Sequence, residues 1–112
     1  MRALALMVLS AALTGAMSAC APAGEEQDVR LVIENHRFEP AEVTVPEGKR
    51  IRLVIENRDD SPEEFESHTL NAEKVVGPKA TITVSVGPLE AGSYEFFGEF
   101  NPQTATGKLI AQ

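Results

Sequence analysis

Apolar and polar residues alternate with a period of two along much of the chain. From Asp28, Val29, Leu31 and Ile33 alternate with Arg30, Val32 and Glu34, which predicts a strand with one strongly buried face. Val43-Thr44-Val45 predicts a second, closed by the turn signal Pro46-Glu47-Gly48. The clearest alternation sets Ile51, Leu53 and Ile55 against Arg50, Arg52 and Glu56 and ends at Asn57, with Arg58 to Pro62 as a loop. Ala80, Ile82, Val84 and Val86 alternate with Thr81, Thr83 and Ser85; Tyr94 to Phe97 and Gly107 to Ala111 read as the last two strands. Leu70 to Val76 is ambiguous between element types, and Gly107 can take positive φ in the turn before the last strand. No stretch holds helical periodicity. Short strands punctuated by Gly and Pro, roughly ten residues apart, predict an all-β sandwich.

The first residues follow a different pattern. Met1-Arg2 gives a positive start, residues 3–16 are apolar or small, and Met17-Ser18-Ala19-Cys20 closes the stretch. Residues 1–19 read as a secretory signal peptide too short to span a bilayer, so the protein is expected outside the cytoplasm, in the periplasm. Two cleavage readings stand. In one, the small residues before Cys20 resemble the bacterial lipobox, Cys20 is diacylated and anchors the chain to the membrane, and residues 20–27 are a tether. In the other, cleavage after an Ala-x-Ala discards the Cys. A lone Cys in an oxidising compartment otherwise has no use, which favours lipidation. The domain proper is then 28–112.

The net charge of −7, made more negative by loss of Arg2 with the leader, argues against nucleic acid or anionic lipid as a partner. Composition also limits metal chemistry. All three Met and the single Cys lie in the first twenty residues, so a metal in the folded part must be held by the two His, carboxylates, amides, backbone or water. Candidates cluster in Pro62-Glu63-Glu64-Phe65-Glu66-Ser67-His68. In an extended segment Glu64, Glu66 and His68 share a face, opposite Phe65. Two carboxylates and an imidazole suit a divalent or trivalent cation; the alternative is a solvated acidic loop. Glu63 should face away from Glu64, in solvent, and Glu73-Lys74 reads as an exposed ion pair. His36, beside Arg37, is open to a structural or a ligand role.

The order of these pieces resembles a cupredoxin. Phe38-Glu39-Pro40, Val43 to Ile51 and Leu53 to Asn57 are similar to that family's opening, and Pro88 to Phe96 to the run entering its copper-ligand loop. Glu64-Phe65-Glu66-Ser67, Glu73-Lys74-Val75-Val76, Gly87-Pro88-Leu89 and Phe96-Phe97-Gly98-Glu99-Phe100 resemble the small periplasmic cupredoxin-like proteins of bacterial ferrous-iron uptake systems. The resemblance implies a Greek-key β-sandwich, and as partners a membrane iron permease and a periplasmic iron- and copper-binding protein. It places Gly98 at the family's Cys position, Asn101 at its second His and Glu64 near its first, so no blue-copper centre is expected. It further implies that Glu64, Glu66 and His68 approach Glu99 and Asn101. The cofactor so implied is an iron or Cu(II) ion, since Cu(I) prefers sulfur, with assistance to ferrous-iron oxidation and delivery as the function. The rival is a metal-free docking or assembly subunit.

Overall fold

The structure, a computed structural model, describes residues 26–112. Residues 1–25, where the sequence leads one to expect a signal peptide, the lipidated Cys20 and the start of a tether, lie outside the described residues. Nine strands follow in order: β1 (Glu26–Glu34), β2 (Arg37–Glu39), β3 (Glu42–Val45), β4 (Arg50–Asn57), β5 (Glu63–Ser67), β6 (Ala72–Val76), β7 (Thr81–Val86), β8 (Gly92–Phe97) and β9 (Thr106–Ala111). No helix occurs among the described residues, as the pattern predicts. Glu26 and Gln27, placed in the tether on sequence grounds, instead begin β1 by pairing with Arg50 and Ile51.

The strands form two sheets, β2-β1-β4-β7 and β3-β9-β8-β5-β6. Pairs β1–β4 and β3–β9 are parallel, while the other pairs are antiparallel. Alternation decides what enters the core. Leu31, Ile33, Ile51, Leu53 and Ile55 point inward from the first sheet, and Phe65, Phe96 and Leu109 from the second, all essentially fully buried. Phe96 meets Phe38 edge-on with ring centres 5.0 Å apart, and Phe65 lies 5.2 Å from Phe96. The outward residues of β1 and β4 form a cross-strand ladder of ion pairs, with Arg52 gripping both oxygens of Asp28 at 2.9 and 2.6 Å and Arg30 meeting Glu56 at 2.6 Å.

Gly107 is not among the positive-φ residues; it is needed for room, because a Cβ there would lie 2.5 Å from the Phe96 ring. β2 escaped the pattern because only Phe38 in it is buried. The end of β4 is fixed by Asn57, which is 1% exposed. Its Nδ2 donates to the carbonyls of Ser61 and Gly77 at 2.9 and 3.1 Å, and its Oδ1 accepts the Asp59 N–H at 2.9 Å. These bonds shape the loop that leads into β5.

Candidate metal centres

Every functional candidate depends on β5, whose residues alternate between two environments. Glu63 and Phe65 share the face that meets the core, and Glu64 and Glu66 take the other. Register supplies the neighbours: Glu66 is directly opposite Glu73 on β6 and Phe97 on β8, and Glu99 follows two residues after Phe97. Glu64, Glu66, Glu73 and Glu99 thereby each bring a carboxylate oxygen into a group whose members all lie within 4.8 Å of one another.

The electrostatic cost of this quartet falls on Glu64 and Glu66, since Glu73 and Glu99 are exposed. Glu64 is 4% exposed, and its Oε1, like Oε2 of Glu66, is buried with no hydrogen-bond partner. None of the four forms an ion pair with Lys or Arg among the described residues. Glu66 is pushed above its ordinary carboxylate value, chiefly because a proton on it is shared with Glu64, then by burial and the Glu64 charge; Glu99 and His68 act weakly in the other direction. Converging carboxylates without a counter-charge are expensive in a partly desolvated place. A multivalent cation would remove that cost.

The sequence placed His68 and Asn101 in this group, and the structure puts neither there. β5 ends at Ser67, so alternation no longer directs His68; it lies in the turn beyond, exposed, its ring 5.4 Å from that of Phe97. It shares only a small cavity of about 160 Å³ with Glu66 and Glu73. Glu73, read as the exposed partner of Lys74, is the residue missed. Lys74 instead donates from Nζ to the Thr83 carbonyl at 3.3 Å. The signal that could have found Glu73 was its place in the β5–β6 hairpin, hidden while β6 was unassigned.

Asn101 and His36 belong to a second group on the opposite side of β5. Glu63, expected in solvent, is 1% exposed. Its Oε1 lies 2.6 Å from His36 Nδ1, and its Oε2 accepts a bond from Asn101 Nδ2 at 3.1 Å. Asp59 completes the group, its two oxygens accepting the N–H groups of Asn35 and His36 at 2.7 and 3.0 Å. Burial alone would push Asp59 up, but those backbone donors hold it below its usual value. Alternation does turn Glu63 away from Glu64, but the face it takes ends inside the sandwich and not in solvent.

The chain belongs to the cupredoxin-like domain family, whose model matches residues 5–111. An uncharacterised protein of Rickettsia prowazekii is 47% identical over 83 residues, or 74% of this chain, and the chain spans 66% of that relative's length. Among solved structures, the metal-binding domain of the Cu(I)-exporting P-type ATPase CopA of Streptococcus pneumoniae is similar at TM-score 0.69 and 18% identity, covering 78% of this chain and 86% of that one. Auracyanin A, a blue copper protein from Chloroflexus aurantiacus, matches at TM-score 0.69 and 15% identity, covering 79% of this chain and all of that one, 100%. Identities this low establish the shared fold.

The residues present do not fit a blue-copper ion, which takes a thiolate, two imidazoles and an axial sulfur. Residues 26–112 contain neither Cys nor Met, and a Cβ on Gly98 would sit 2.9 Å from the Glu64 carbonyl oxygen. The orphaned oxygens of Glu64 and Glu66 do fit a hard or borderline cation held by carboxylates.

Proposed function

We propose that this protein is an exported metal-handling protein of bacterial iron acquisition, whose Glu64, Glu66, Glu73 and Glu99 bind iron or Cu(II). The observation behind the reading is the buried, unpartnered oxygen of Glu64 facing three further carboxylates. All-oxygen donors favour the higher oxidation state of iron. The chain therefore assists oxidation of Fe(II) to Fe(III), one electron passing to an acceptor such as Cu(II), which becomes Cu(I). Delivery then goes to a membrane iron permease, alongside a periplasmic iron- and copper-binding protein, with diacylated Cys20 holding the chain at the membrane. These partners rest on the sequence resemblance.

Titration of the protein with Cu(II), with Fe(II) under anaerobic conditions and with Fe(III) citrate, followed by metal analysis after desalting, tests the site. Retention of metal by the natural chain and its loss in Glu66→Gln is expected. No retention of any of the three ions would sink the metal reading and leave a docking or assembly subunit.

A further inference from the structure

Glu63 is the only one of the β5 carboxylates whose two oxygens both have partners, and each partner is engaged by one end only. Contact of Nδ1 with Oε1 at 2.6 Å leaves Nε2 as the ring nitrogen of His36 that Glu63 does not engage. Nδ2 of Asn101, given to Oε2, leaves its Oδ1 as an acceptor. The His36 side chain is 47% exposed. His36 and Asn101 both line an open cavity of about 390 Å³, with Phe100, Pro102, Gln103 and Thr104. A carboxylate behind an imidazole, fixing tautomer and ring orientation, is the usual support of a metal-ligating His.

The backbone makes a second, independent point. Asn35 and His36 form the two-residue turn between β1 and β2, with φ of 54° and 58°. Both central residues of such a hairpin turn need positive φ, and Gly is the favoured second residue. The chain therefore places an imidazole where Gly would cost less, and Asp59 holds the turn in that conformation through both N–H groups. Asn101 is fixed as firmly, because its carbonyl accepts the Ala105 N–H at 2.8 Å and its N–H donates to Gly98 at 3.1 Å.

We propose that His36 Nε2 and Asn101 Oδ1 form a second metal site, separate from the carboxylate quartet and taking a borderline divalent ion, Cu(II) or Zn(II), with Glu63 as its positioning residue. One nitrogen and one amide oxygen suit such ions better than iron. With only two protein donors the remaining positions are filled by water, so the site is weak and exchanges its ion readily with the open cavity.

Electron paramagnetic resonance of the full protein titrated with Cu(II) tests this, because imidazole nitrogen coupling to copper identifies the ligand and the chain has only two His, 36 and 68. Nitrogen coupling should be present in the natural protein, and in His68→Ala and Glu66→Gln alike. It should be absent in His36→Gln, which keeps a donor to Glu63 and so preserves the fold, as a thermal melt will verify. Glu63→Gln should retain the coupling but weaken Cu(II) by roughly 10–100-fold. Coupling that survives His36→Gln, or vanishes in His68→Ala, overturns the proposal. Loss in Glu66→Gln would also overturn it, by making the two groups one site; failure of the quartet alone leaves the nitrogen signal in place.

Discussion

Glu64 destabilises the metal-free chain in a way a single substitution can expose. Its buried Oε1 forgoes water without gaining a donor, and such an orphan costs about 1–3 kcal/mol. Glu64→Leu, of similar size, should therefore raise the stability of the metal-free protein by about that amount in urea unfolding, while abolishing any stabilisation by added metal. A destabilised variant would mean that the oxygen has a partner in solution. Glu66 adds a pH signature. Its folded value lies above the ordinary 4.5, so the folded state binds more protons than the unfolded one. Stability from this group is present below 4.5 and is lost as pH rises through the raised folded value. Metal-free Glu66→Gln should accordingly show less loss of stability over that window, read from urea midpoints at successive pH values; Asp59, held below its ordinary value, acts oppositely at lower pH and so leaves the window distinct.

At the scale of elements, the sheet strands were legible wherever one face is fully buried, as in β4, where Ile51, Leu53 and Ile55 alternate with charged or half-buried residues. β6 was not, because only Val76 in it is buried and Val75 is 52% exposed. Without β6 nothing in the sequence sets Glu73 opposite Glu66, and the candidates merge into one group. Two carboxylates adjacent in sequence, Glu63 and Glu64, go to opposite sides of one strand, so a local cluster in the sequence becomes two clusters in space. His36 and Asn101 were found as candidates, but their common anchor was not, since a Glu at the end of an apolar face carries no pattern of its own. The β5–β8 junction yields a further test. The sequence resemblance implies the family's Cys at Gly98, yet a Cβ there would press on the Glu64 carbonyl oxygen at 2.9 Å and on Ala105 at 3.1 Å. Gly98→Cys should lose roughly 1–3 kcal/mol of stability and should not give the intense visible absorption of a copper–thiolate centre when loaded with Cu(II). Appearance of that absorption would show that the strand yields and that a thiolate at this position can reach a copper ion.

For the whole molecule, the two sheets form a frame that holds unfavourable chemistry in place. Cross-strand ion pairs line the outside of β1 and β4, where exposure makes each worth little, while the apolar interior between the sheets supplies the stability that the quartet's repulsion draws on. A frame of this kind unfolds as a unit, and a ligand that binds only the folded state raises its stability by RT ln(1 + [L]/Kd), about 2.7 kcal/mol at a hundredfold excess over Kd. The quartet cannot persist in the unfolded chain, because Glu64, Glu73 and Glu99 come from three strands or their ends. Metal at that excess should thus raise Tm by on the order of 10 °C in a domain of this size, measured by calorimetry with and without Fe(III) citrate. The rise should vanish in Glu66→Gln and persist in His36→Gln. An equal rise in all three proteins would mean that the ion binds outside the quartet, and the carboxylates would then be a solvated acidic surface.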